Sequence, residues 1–263
     1  MGSGIKSNID YIIIQVYYGL KNFFAYRTQA LVWIVFSVLM TLATYITINV
    51  IYTVSSGISG WNYYQLLLLG ATGSMVFALI YSIFNMNNAS HALLHGQIDI
   101  YLIRPFKKLS IFITMDSFPA AGFTFFSSLA LFIYCLANLH VTLLGILGYV
   151  ILFAASVVML IVFFAFLVVL IYVYVKGSDL FQRFTNFAGQ AGEYPINVYG
   201  TIGSLIFSTV FPIGFAYYYP PYFLTNGLGV YGFAEVLIGC FVITAISYVL
   251  FNHLMKSYTS GRG

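Results

Sequence analysis

"QALVWIVFSVLMTLATYITINVIYT", residues 29–53, carries no charged side chain, no proline and no glycine. As a helix it would reach about 37 Å, more than the roughly 30 Å hydrocarbon layer of a bilayer. The rest of the chain has the same character. Of its 263 residues, 61% are hydrophobic and only 6% charged, with a mean hydropathy of +0.95. Soluble domains carry about 25% charged residues, so this composition excludes a soluble fold. The apolar runs are long and continuous, whereas barrel strands would be short and alternating. The fold class is therefore an all-α integral membrane protein.

Charge-free runs place six spans near residues 29–53, 64–84, 117–138, 143–175, 196–218 and 230–254 of a single transmembrane domain, 1–263. The ten Lys and Arg residues divide among them in a regular way. Lys6, Lys21 and Arg27 precede span one. Arg104, Lys107 and Lys108 lie between spans two and three. Lys176 and Arg183 lie between four and five, and Lys256 and Arg262 follow six. The loops after spans one, three and five have none. The positive-inside rule then puts both termini in the cytoplasm. Residues 5–27 are apolar but interrupted by Lys6, Asp10, Lys21 and Arg27, as in a helix lying in the membrane interface; the alternative is an early cytosolic end of span one. Cys135 and Cys240 sit inside apolar runs and read as small buried hydrophobes.

Several chemistries are missing. No GxxxxGK[ST] phosphate loop occurs. "GLGVYG", residues 227–232, follows no buried strand, so it is no dinucleotide site. His91 and His95 in "HALLH" have helical metal-ligand spacing but no third ligand near them, and no metal is expected. No Ser-His-Asp or paired-carboxylate arrangement stands out, so no catalytic residue is assigned. The net charge of +4 sits in loops and does not call for nucleic acid. Transporters driven by ion gradients carry ionisable residues at mid-membrane, and this chain has none there. A gradient-driven transporter or channel is the alternative reading, and it lacks that support.

The loop at 85–110 is the unusual one. "HGQIDIYLIRPFKKLS", residues 95–110, gathers Asp99, Arg104, Lys107 and Lys108 around a Gly and a Pro. It reads as a helix through "NNASHALLHG", a break at Gly96, a short apolar helix "IDIYLI", and a stop at Pro105. Asp99 near the start of that helix and Arg104 near its end both suit its dipole. Topology anchoring explains the basic residues. It leaves the Gly, the Asp and the apolar helix without a role.

This stretch resembles the first cytoplasmic loop of the six-span type-2 ABC transporter permeases, in which Gly-x-(Ile/Leu)-Asp is followed by Leu-(Leu/Ile)-Arg-Pro. Gly96, Ile98, Asp99, Leu102, Ile103, Arg104 and Pro105 match; His95 stands where the family usually has Arg or Lys. A second block, "EYPINVYGTIGSLIFSTVFPIGFAYYYPPYFL", residues 193–224, is similar in its prolines at Pro195, Pro212, Pro220 and Pro221. The resemblance implies a bacterial or archaeal cytoplasmic membrane protein, the permease subunit of an exporter for an amphipathic or hydrophobic, drug-like or lipid-like solute. It implies a second permease subunit, identical or homologous, and separate ABC ATPase subunits that bind ATP and Mg. This chain would bind no cofactor. Gly96, Asp99, Leu102, Arg104 and Pro105 would form the helix that couples to the ATPase, supported by Arg183 and Glu193 from the 176–195 connection.

Pro212, Pro220 and Pro221 would break span five near the outer surface. "FAYYYPPYFLTNGLGVYGF", residues 215–233, then fits two readings, an outer gate that includes Tyr218 or an interfacial tyrosine belt. Glu235 follows it and fits three roles: a contact to a partner subunit, a site for a cationic solute, or a carboxylate snorkelling to the surface.

Overall fold

The computed structural model describes residues 2–54, 57–58, 60–114, 117–175, 178–192 and 194–258. These residues form helices and connecting turns, with no strand among them. Helix α1 (Gly2–Ala25) kinks at Tyr26 into α2 (Arg27–Val54). Helices α3 (Tyr63–Ile83) and α4 (Met86–Leu94) follow, then two short helices, α5 (Asp99–Leu102) and α6 (Lys108–Thr114). Next come α7 (Ala121–Asn138), α8 (Leu143–Val175) and α9 (Ser178–Gly192). The chain continues through a 3-10 turn (Ile196–Tyr199), α10 (Gly200–Leu205) and a π turn (Ile206–Val210). Helices α11 (Gly214–Tyr217), α12 (Tyr219–Asn226) and α13 (Gly229–Leu254) complete it. Five helical stretches are long and apolar enough to cross a membrane, and six if the bent 196–226 segment counts as one.

Two of these helices form the centre. In α3 the run Leu66–Leu69 is wholly buried, and α8 is buried along most of Leu152–Val169. A helix that is apolar all round belongs inside a bundle. Helix α3 packs on α7 and α2, and α8 on α13, α12 and α4. The two groups meet where the Tyr149 hydroxyl lies 3.0 Å from Thr72 Oγ1, deep between α8 and α3. Helices α2, α7 and α13 are mostly exposed along their apolar windows, as suits contact with lipid or a second subunit.

Close contacts between helices use small residues. Ser37 and Thr41 on α2 meet Thr124 and Ser127 beside them on α7, with Thr41 and Ser127 oxygens 2.7 Å apart and Thr124 donating to Ser37 at 3.1 Å. Hydroxyl pairs of this kind join membrane helices for about 0.6 kcal/mol each. Gly148 of α8 receives the Phe223 ring of α12 so closely that a β-carbon there would overlap it.

The ends of the elements fall into two sets. The Asn62 and Gln65 capping box starts α3, and Gln65 also donates to Asn226 at the end of α12 at 3.4 Å. The opposite, basic end holds Arg27, Arg104, Lys107, Lys108 and Lys256.

One expectation needs correction. Residues 196–218 are not a continuous span. The helical stretch stops at Val210, and the chain resumes at Gly214 on an axis turned by 94°. Before the break it folds back along α9: the Tyr199 hydroxyl donates to the Ala191 carbonyl, Phe187 lies near Phe207, and Phe184 packs on Phe211 with ring centroids 4.2 Å apart. Pro212 thus sits at an internal bend and not near the outer end of a straight helix. Its missing N–H and fixed φ disfavour a continuing helix. The third span also starts later than residue 117, with its helix beginning at Ala121 after a turn at Pro119.

Gly148→Ala should lower the denaturation midpoint in detergent by an amount equivalent to about 1–3 kcal/mol, because the Phe223 ring must move. Gly122→Ala should be nearly neutral, since a β-carbon there meets only Ser82 Oγ at 3.7 Å. Equal midpoints for the two variants would refute the proposed close packing.

Candidate functional site

At the basic end the chain between α4 and α6 forms a compact turn built from its own sequence. Gly96 has φ +65°, a left-handed conformation that suits glycine. Around it the Gln97 N–H donates to the Ala92 carbonyl at 2.9 Å and the Gly96 N–H to the Leu93 carbonyl at 3.3 Å. This is a Schellman ending, which satisfies the last carbonyls of α4. Ile98 then turns fully inward, and Leu102 packs on the core beside it. Ile100 and Ile103 point the other way, 68% and 83% exposed. Helix α5 is therefore a short amphipathic peg with two bare isoleucines.

Aromatic residues from distant parts of the chain fasten this peg. The Tyr258 hydroxyl, just past α13, donates to Asp99 Oδ1 at 2.9 Å. Tyr258 also packs on Tyr172 of α8, with ring centroids 5.4 Å apart. Arg104 donates to the Tyr11 hydroxyl at 3.4 Å, and its guanidinium lies 5.0 Å from the Tyr101 ring centre. Tyr11 of α1 is buried and stacks on Phe106 at 4.4 Å, immediately after Pro105. Burial, with the Asp99 carboxylate beside it, holds the Tyr258 phenol proton well above its ordinary value of 10.0. Tyr11, Phe106, Tyr172 and Tyr258 escaped the sequence reading. Their only signal was an aromatic residue near each charged stretch, in a chain rich in aromatics throughout.

The other expected residues divide. Arg183 is exposed on α9 and makes no hydrogen bond or ion pair among the described residues. Glu193 lies outside the described residues. Pro220 and Pro221 are buried in the first turn of α12, where proline costs no hydrogen bond. Tyr218 stacks on Tyr222 at 5.2 Å, and Trp61 packs against both. Glu235 is exposed on α13, pairs with no described residue, and does not join that cluster.

Facing the tyrosines is a feature that hydropathy averaged away. Asn197, Thr201, Ser204 and Ser208 recur at helical spacing along 196–210 and, with Tyr218, Tyr219 and Tyr222, line an open groove of about 630 Å³. Groups of three or more metal-ligating side chains are absent among the described residues.

The site thus joins apolar spans, a small exposed peg and a polar groove. Comparison with protein families gives the class its name. A family model described as ABC-2 family transporter protein matches residues 38–261. The chain belongs to that family. It is therefore an ABC transporter permease, a multi-pass membrane protein rather than an enzyme, and membership implies association with ABC ATPase partners. Comparisons with curated proteins and with solved structures found no match.

Tyr258→Phe should cost about 1.5–3 kcal/mol at neutral pH, the range for a hydrogen bond to a charged group. The wild-type advantage should hold below pH 10.0, the ordinary phenol value, and shrink as the pH rises through the raised folded value. Denaturation midpoints of the two proteins across that range check this; a constant difference would remove the assigned contact. Gly96→Ala should cost about 1–2 kcal/mol through its left-handed φ.

Proposed function

We propose that the chain is the permease subunit of an ATP-driven exporter. Both termini and the basic end face the cytoplasm of a bacterial or archaeal cell, and α1 lies in the membrane interface. A second permease, identical or homologous, completes the membrane part. Separate ATPase subunits, which hold ATP and Mg, dock on the turn Gly96–Pro105.

The observation that carries this reading is the exposed pair Ile100 and Ile103 on a peg fastened at both ends. An apolar pair displayed in water at a membrane surface is a contact awaiting a partner, since burying an isoleucine gains about 1.5–3 kcal/mol. The peg's fixings lead to α8 and α13 through Tyr258 and to α1 through Tyr11. A displacement of the ATPase at Ile103 therefore acts on helices that cross the membrane.

The solute is amphipathic. Hydroxyl and amide groups at Asn197, Thr201, Ser204 and Ser208 face tyrosine rings across the groove, a lining that takes polar and apolar parts of one molecule. Tyr218, Pro220 and Pro221 form the outer gate over it, and transport runs outward. Pro212, at the bend of the folded-back helix, is the position where the gate segment changes direction. Glu235 stands on the exposed face of α13, open to the second subunit.

Ile103→Asp should cut ATP hydrolysis by the assembled transporter roughly thirtyfold, the equivalent of a 2 kcal/mol interface loss, with membrane insertion unchanged. Asp99→Asn should reduce coupling while leaving the ATPase bound. Transport assays in vesicles alongside co-purification separate the two effects. Wild-type transport in both variants would end the docking assignment.

A further inference from the structure

A second cavity, separate from the groove, lies within a single copy of the chain. It is open on one side and has a volume of about 590 Å³ between α2, α3, α7 and α9. That volume is in the range of small-molecule sites, roughly 300–1,000 Å³. Trp33, Phe77 and Tyr81 supply aromatic walls, and Gly189 leaves room where a side chain would otherwise stand. Among the described residues, no Asp, Glu, Lys, Arg or His lines it.

Of the serine, threonine and asparagine side chains that line this apolar space, Thr44, Thr124 and Thr185 are taken by hydrogen bonds to Met40, Ser37 and Gln182, and two are not. One is the Ser74 hydroxyl on α3, and the other is the Asn186 carboxamide on α9. Neither makes a hydrogen bond to any described residue. The contrast with Thr72, one turn-half away, is direct: its hydroxyl donates to the Leu68 carbonyl at 2.8 Å, as hydroxyls in membrane helices commonly do. Ser74 is half-buried on the spanning helix α3, and Asn186 is exposed on α9. Gly189, close to Asn186 on α9, faces Phe77 of α3, and Ser74 is near the middle of α3. Both side chains line this one cavity and are free to hydrogen-bond a ligand in it, the few polar groups among apolar walls that small-molecule sites use.

We propose that this cavity binds an uncharged amphiphile. Its hydrogen-bonding head, an ester, amide or hydroxyl, meets Ser74 and Asn186, and its apolar body lies on Trp33, Phe77 and Tyr81. A charged head is disfavoured because nothing in the lining would neutralise it. The occupant comes either from the bilayer, as a neutral lipid, or from the pool of transported solute. The site is complete in one copy and does not depend on ATPase docking.

The chain has two tryptophans, so Trp61→Phe leaves Trp33 as the only one. The full chain with that change, in nanodiscs of plain phospholipid, is titrated with a brominated monoacylglycerol while Trp33 fluorescence is read. The expected result is saturable quenching. Asn186→Leu and Gly189→Leu should each weaken it about tenfold, close to 1.4 kcal/mol. Gly189 tolerates a side chain, because a β-carbon there meets Phe77 at 3.6 Å, and an unchanged denaturation midpoint verifies that. Quenching that rises linearly with probe and is equal in all three proteins would mean bilayer contact only and would overturn the proposal. Solvent extraction of the bound, saturable form then separates the sources. A neutral lipid carried by the wild type and lost in Gly189→Leu identifies the bilayer; a cavity that purifies without lipid and fills on titration identifies the solute.

Discussion

A single hydrogen bond from the Tyr258 hydroxyl to Asp99 joins parts of the chain 159 residues apart. It closes the basic end of the protein. Without it, α5 would be a four-residue helix on a loop, too short to hold its own shape. With it, and with Arg104 on Tyr11 from the other side, the turn becomes a rigid corner. Asp99 serves twice in this arrangement. It accepts the hydrogen bond from the phenol and it stands at the first turn of α5, where a negative charge suits the helix dipole. Pro105 ends the helix and delivers Phe106 to its stack on Tyr11. The exposure of Ile100 and Ile103 follows from these fixings, because Ile98 and Leu102 occupy the inward side.

The same physics governs the irregular half of the chain. Backbone that is not helical is tolerated at membrane depth only where protein or a water-lined cavity satisfies it. The segment 194–226 meets that demand by folding back on α9 and seating Tyr217 between glycines. A β-carbon at Gly73 would lie 2.7 Å from the Tyr217 ring, and Gly192 is closer still. These two glycines let α3, α9 and α11 converge on one aromatic side chain. The polar stripe from Asn197 to Ser208 stays on the open side, where it forms the groove. A broken helix thus supplies both a packed hinge and a polar wall.

Hydropathy made much of this architecture legible. The charge-free run at Leu143–Val175 could be nothing other than one long helix, and Gly96, Asp99 and Pro105 marked the turn because each has a local reason to be there. What the sequence concealed is tertiary. Tyr11 and Tyr258 look like any other tyrosine among 23, and only the fold brings them to Arg104 and Asp99. The fold-back of 196–210 was hidden for a related reason. Apolar composition tells that a segment belongs in the membrane and says nothing of the direction in which it runs. Pro212 was read as breaking span five near the outer surface; the break is there, but it follows a fold-back along α9. Ser74 and Asn186 drew no attention, since a lone serine or asparagine becomes meaningful only when its neighbours leave it unpaired.

The central claim is that the exposed face of α5 is where the ATPase sits. Site-directed photocrosslinking addresses it most directly, with a benzophenone side chain placed at Ile103 in native membranes and, for comparison, at Val230, exposed near the start of α13. The account predicts an adduct between position 103 and a nucleotide-binding subunit, and none from position 230. An ATPase adduct from position 230, with position 103 unreactive, would contradict it.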